Sequence, residues 1–158
     1  MKNLFTGLLL LCATFTARSQ SIQVSGEGIL PITITKPMFA DMKQVVVMAK
    51  AHDDKVHRYS GVTMADILDK AGVVLGDSAK LRTVTSYILV TAANGYRAIY
   101  TLAEIDPLFA GRSIIIANRE DKKPLVAEDG LFQVIVPGEK KHSRWVRQVI
   151  GIQIVQVK

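Results

Sequence analysis

YILVTAANGYRAIYT, residues 87–101, decides the fold of this chain. Two runs rich in β-branched and aromatic residues flank Asn94-Gly95, the dipeptide that most readily takes positive φ at both central positions of a type I′ turn. The spacing predicts an antiparallel hairpin of residues 87–93 and 96–101 joined by that two-residue turn. A chain that folds its middle back so tightly builds an antiparallel sheet, unlike the parallel sheet that alternating βαβ units would give.

Working outward, the flanking segments agree. Residues 22–24 and 29–35 are strand-like, the second alternating apolar residues with Thr, and Lys36-Pro37 opens a short helical turn through Met42. Residues 44–50 (QVVVMAK) read as a buried strand. A polar turn at Asp53-Asp54 and a second extended segment ending at Gly61 complete a hairpin with it. Thr63 caps a helix through Lys70, with Met64, Ile67, Leu68 and Ala71 on one face and Gly72 as its stop. Downstream, residues 102–105 form a helical turn stopped by Pro107, residues 113–117 a buried strand and residues 119–123 a polar turn. Residues 131–136 are apolar, and residues 149–157 close the chain with Ile150, Ile152 and Ile154 on one face. The expectation is a single α+β domain over residues 20–158 with a mixed, mainly antiparallel sheet and few short helices.

The opening MKNLFTGLLLLCATFTARSQ carries Lys2, an apolar run over residues 8–15 and then small and polar residues, which predicts a signal peptide over residues 1–19 cleaved after Ser19. That run falls short of the roughly 20 apolar residues a helix needs to cross a bilayer, so no membrane span is expected. Leu11 is a poor neighbour for lipid attachment at Cys12. Loss of Lys2 and Arg18 with no acid lowers the formal charge from +6 to +4, leaving a basic protein destined for the periplasm or full secretion. Its cations are not massed in long tracts, and export removes it from nucleic acid, so that partner is excluded. Cys12 is the single cysteine, so the mature chain has no disulfide, thiolate metal site or cysteine nucleophile. Roughly 139 residues suffice to bury one core without covalent staples.

Chemistry concentrates in two places. In LFQVIVPGEKKHSRWVR, residues 131–147, an apolar strand breaks at Pro137-Gly138 into a loop where Lys140, Lys141, Arg144 and Arg147 face one acid, Glu139. His142 and Trp145 are interleaved with them. Such cations donate charge-assisted hydrogen bonds to phosphate or carboxylate, and the alternative is a solvated basic turn. The second place is His52, Asp53, Asp54 and His57: a turn between them sets His52 and His57 on neighbouring strands, where their imidazoles would converge on zinc or copper with a carboxylate as third ligand. The alternative is a polar hairpin tip. Ser60 and Ser143 lie in no G-x-S-x-G elbow, adjacent His142 and Ser143 point apart, and Asp66 and Asp69 read as solvated helix carboxylates. No catalytic residue is assigned.

Three stretches then fall into one order: YSGVTMADILDKAGV (residues 59–73), AANGYRAIYTLAEID (92–106) and IIANREDKKPLVAEDGLFQVIVPGEKKHSRWVRQVIGIQI (115–154). Together they resemble the molybdopterin-binding oxidoreductase domain of the sulfite oxidase type. That family shows a G-V-x-L-x-x-L-L-x-x-A-G helix, a D-G-Y hairpin, an N-G-x-P-L-x-x-x-x-G segment, and a V-P strand end before a basic loop and a closing I-x-x-I strand. The counterparts here are residues 61–72, Asn94-Gly95-Tyr96, residues 122–130 and Val136-Pro137 onward, so the resemblance covers about residues 22–157. It implies that fold, in a short, exported, single-domain form, with molybdopterin as the cofactor.

In catalytic members of the family, a cysteine just after the strand matching residues 44–50 supplies a sulfur ligand to molybdenum. This chain has Met48, Ala49, Lys50 and Ala51 there, and Met48 reads as core, so conventional molybdenum catalysis is not expected. The basic loop falls where the family grips the pterin phosphate, with Arg144 and Arg147 nearest the family's cations and Lys140, Lys141 and His142 beside them. Trp145 either packs over a bound ring or anchors the loop. Three functions stand open. One is a module binding a pterin or another small anionic ligand. Another is a redox subunit that holds cofactor through different ligands and works with a partner protein. The last is an interaction protein using the fold as scaffold. The pair His52 and His57 adds a metal-binding alternative.

Overall fold

The computed structural model describes residues 20–157. The predicted signal peptide, residues 1–19, lies outside the described residues. The strands divide into two five-stranded sheets instead of one. In the first, β1 (Ile22–Gly26) pairs antiparallel with β2 (Ile32–Ile34) and parallel with β10 (Val149–Gln156). β10 in turn pairs antiparallel with β5 (Ser86–Ala92), and β5 with β6 (Arg97–Thr101). In the second, β3 (Val45–Lys50), β4 (Val56–Thr63) and β7 (Ile115–Glu120) lie in that order. The far side of β7 is shared between β8 (Lys123–Pro124) and β9 (Gln133–Ile135). Among the described residues β1–β10 is the one parallel pair, so the α+β, mainly antiparallel architecture expected from the sequence is the one observed.

Local chemistry explains the helices. α1 (Lys36–Asp41) carries Pro37 in its first turn and is capped by Thr35 Oγ1, which accepts from the Met38 amide at 3.4 Å. α2 (Met64–Lys70) is capped by Thr63, buries Met64, Ile67 and Leu68, and ends before Gly72 at φ +84°. α3 (Lys80–Val84), entered through a 3-10 turn at Asp77–Ala79, has no counterpart in the sequence reading. Its apolar residues Leu81 and Val84 face outward while Thr83 is buried, so it lacks the apolar stripe that would reveal it. α4 (Leu102–Ile105) is held by a capping box between Thr101 and Glu104. Among the described residues no helix is long and apolar enough to cross a membrane.

Four expectations are corrected. The β5–β6 turn is not type I′: Gly95 has φ +86°, Asn94 is not in the positive-φ region, and the Gly95 amide bonds to Ala92 O. The second is the length of that loop: with Thr91 paired to Arg97, more than two residues lie between the strands. The reason is facial: this register sets buried Ile88 opposite Tyr100 and Val90 opposite Ala98, whereas a two-residue turn would oppose Val90 to exposed Ile99. A two-residue turn with both φ positive does occur, at Asp121 (φ +48°) and Lys122 (φ +68°), between β7 and β8.

The third correction concerns β3, an edge strand instead of a buried one, with Met48 57% exposed and therefore not core. The fourth is Ile150, which a bulge between Val149 and Gly151 turns out to the surface, leaving Val149, Ile152 and Ile154 in the core. Buried residues of both sheets form one continuous core, from Ile22, Val24 and Ile154 to Val62, Ile116 and Val134.

Candidate functional site

Three loops meet at one end of the molecule: the β3–β4 tip, the β5–β6 tip and the basic loop between β9 and β10. The β3–β4 tip is closed by the Ala51 amide donating to Lys55 O at 2.8 Å, with Asp54 at φ +64°. The basic loop makes a 3-10 turn at His142–Arg144 and is tied down by side chains from elsewhere. His142 Nε2 donates to Lys50 O at 2.7 Å, the Tyr96 hydroxyl donates to Ser143 O at 2.6 Å, and the Tyr100 hydroxyl donates to Arg144 O. Trp145 is buried, with its indole N–H donating to Val136 O at 3.3 Å, so it anchors the loop to the end of β9.

Between these loops lies a cleft with two lobes of about 200 and 190 Å³ that share His52, Trp145 and Arg147. One lobe, completed by Asn94, Tyr96 and His142, has no acid in its lining. The other contains Asp53, His57, Tyr59, Glu120, Asp129 and Gln133. Its wall is aromatic where Tyr59 meets Trp145 edge-on at 5.6 Å, and the Tyr59 hydroxyl donates to Glu120 at 2.8 Å. Burial, with Glu120 adding to it, pushes the Tyr59 hydroxyl up and keeps it protonated. Burial also raises Asp129 above the usual carboxylate range, against the pull of Arg147.

The residues singled out from the sequence divide sharply. Arg144 points away from the cleft, pairing with Glu104 at 2.8 Å and with Glu139, and also donating to Ile99 O at 3.3 Å on the open edge of β6. Its guanidinium lies over the Tyr100 ring at 5.0 Å. Burial opposes its charge, and the two carboxylates outweigh burial and hold the charge in place. Arg147 lines both lobes and pairs with Asp129, Nε to Oδ1, at 2.8 Å. That N–H is not aligned with the oxygen, so Oδ1 accepts no hydrogen bond from a described residue. Lys140 and Lys141 are exposed and, among the described residues, have no carboxylate within ion-pair distance.

His57 has Nδ1 2.7 Å from Asp121 and Nε2 3.1 Å from Asp53. Ionised carboxylates accept, so these contacts favour the doubly protonated ring, in which both nitrogens donate. The hydrogen bonds to Asp121 and Asp53 accordingly raise His57 above its usual value. His52 instead lies against His142, with ring centroids 4.3 Å apart, and His142 meets Trp145 at 4.5 Å. Tyr59, Glu120, Asp121, Asp129 and Gln133 went unnoticed in the sequence as site residues. Period-two alternation puts Tyr59 on the face of His57, but only the strand register brings Glu120 opposite Tyr59.

No family model and no curated protein matches this sequence. Among solved structures, the sulfane dehydrogenase SoxCD from Paracoccus pantotrophus has a similar fold, with a TM-score of 0.68 and 14% identity. The alignment covers 85% of this chain and 38% of that one, so this chain spans well under half of its length. At that identity the likeness shows the fold alone, α+β of the sulfite oxidase type.

Proposed function

We propose that this protein is an exported binding module whose cleft takes a small, planar, anionic ligand, with a pterin as the candidate that the fold resemblance brings forward. The observation that carries the reading is the acid-free lobe, where His52, His142, Trp145 and Arg147 gather, with Lys140 and Lys141 exposed in the same loop just before His142 and without an ion-pair partner among the described residues. Rings there offer stacking surface, and the cations and imidazoles offer donors to phosphate or carboxylate. Each lobe is smaller than the roughly 300 Å³ at which small-molecule pockets begin, so a ligand of pterin size spans both.

The metal end of a molybdopterin cofactor does not fit. No described residue is a cysteine, Met48 stands exposed on an edge strand, and Arg144 is committed to Glu104 and Glu139. Donors around the cleft are imidazole, carboxylate and amide, not the soft thiolate that the family's metal centre uses. The reading is therefore of binding without the family's redox chemistry.

Trp145 is the sole tryptophan and lines both lobes, which makes its emission a direct reporter. Titration with 6-hydroxymethylpterin phosphate, and separately with inorganic phosphate, is expected to quench or shift that emission saturably. Lys140→Ala/Lys141→Ala is expected to weaken the phosphorylated ligand by about tenfold, the loss of two exposed charge-assisted contacts. An emission unchanged to millimolar ligand overturns the reading. The scaffold reading would then lead, favoured by Val46 and Met48, exposed at 47% and 57% on the open edge of β3.

A further inference from the structure

We propose that His52 and His142 form a two-imidazole site for a late first-row divalent cation, taking Cu(II) ahead of Ni(II) and Zn(II). The pairing differs from the one the sequence suggested, since both ring nitrogens of His57 are already engaged, by Asp53 and by Asp121. His142 is already oriented as a metal ligand is. Its Nε2–H is committed to Lys50 O at 2.7 Å, which fixes the tautomer and leaves Nδ1 as the lone-pair nitrogen. His52 is exposed and makes no hydrogen bond to any described residue, so its ring is free to turn. With the two centroids 4.3 Å apart and inclined at 59°, side-chain rotation alone can bring one nitrogen of each ring to metal–nitrogen bonds of about 2.0 Å.

The surroundings leave room for a cation with open positions. The lobe that both rings line holds about 200 Å³, room for an ion and its waters. Asp129 and Asp54 stand near enough for their charges to act on His52 and His142 respectively, while the charge of Arg147 is offset by Asp129 at 2.8 Å. Among the described residues no three of His, Cys, Asp and Glu are grouped to hold a metal, so water completes the coordination. Two nitrogens with water suit tetragonal Cu(II) or Ni(II) better than a closed tetrahedral zinc site, and the Irving–Williams order sets Cu(II) first.

The test uses the purified protein and the metal chlorides alone, in a non-coordinating, phosphate-free buffer, so that its outcome is separate from the anion titration. One equivalent of Cu(II) is expected to quench Trp145, whose ring lies 4.5 Å from His142, and to give an electron paramagnetic resonance spectrum with nitrogen couplings from two imidazoles. His52→Ala and His142→Gln are each expected to weaken Cu(II) by about tenfold or more, whereas His57→Gln retains it. His52 is exposed and its side chain makes no hydrogen bond to a described residue, so His52→Ala keeps the test interpretable if His142→Gln loosens the loop. Absence of stoichiometric Cu(II), a His52→Ala variant that binds like the parent, or loss of binding in His57→Gln would each overturn the proposal.

Discussion

Both ring nitrogens of His57 face carboxylates, and this sets a pH dependence whose direction follows from linkage. The ring is raised above its usual 6.5, so its stabilising contribution is full below that value and fades as pH rises through the higher folded-state value. Asp121 and Asp53 are lowered below 3.8, the first chiefly by the Arg58 amide and the second by the Lys55 amide. Their contribution is present above 3.8 and is lost as pH falls through their lower folded-state values. Between those limits, from about pH 5 to 6.5, both sets are in place. Urea denaturation at pH 5.5 and pH 8.5 is expected to show the stability gap between parent and His57→Gln narrowing at the higher pH. A gap that widens would sink this account of the cluster. None of the imidazolium's partners except Asp53 is near it in sequence, so the cluster was legible only as a polar hairpin tip.

At the scale of elements, the turns show where local signals hold and where packing overrides them. Asn94-Gly95 marks a hairpin correctly, yet the buried faces of β5 and β6 select a register in which only Gly95 takes the left-handed conformation. Asp121-Lys122 carries no glycine and still has both φ values positive, held by Asp121 accepting from the Arg58 amide at 3.0 Å and meeting His57. Substitutions at the two sites should therefore move stability in opposite directions. Gly95→Ala, with open space around the new Cβ but φ +86°, is expected to cost about 1 kcal/mol. Lys122→Gly is expected to stabilise by about 0.5–1 kcal/mol through relief of its φ of +68°. Equal destabilisation in thermal melts of both variants would contradict this reading of the turns. The cap of α2 needed no such correction, because Thr63 bonds within its own first turn, and Thr101, not singled out from the sequence, caps α4 in the same local way.

The whole molecule depends on close approach between strands far apart in sequence. Gly61 lies at the irregularity where β4 crosses β7, and a Cβ there would overlap the Ile116 carbonyl and come within 2.6 Å of Ala117 Cα. Both are backbone atoms of fully buried residues and cannot move aside cheaply, so Gly61→Ala is expected to cost about 3 kcal/mol or more and to deplete soluble folded protein. A melting temperature within a few degrees of the parent would show that the strands can separate there. β10, the last strand of the chain, lies between β1 and β5, and that placement carries the basic loop to the β3–β4 tip. The sequence by itself determined most of the strands, three of the four α-helices, the Thr63 cap and the mainly antiparallel class, because these follow from period-two alternation, capping side chains and turn dipeptides acting over a few residues. Only the tertiary structure decided the exposure of β3, the β5–β6 register, the withdrawal of Arg144 from the cleft and the pairing of His52 with His142. Each of these rests on partners that lie far apart along the chain, as with His142 and Lys50, and no local pattern encodes such a meeting.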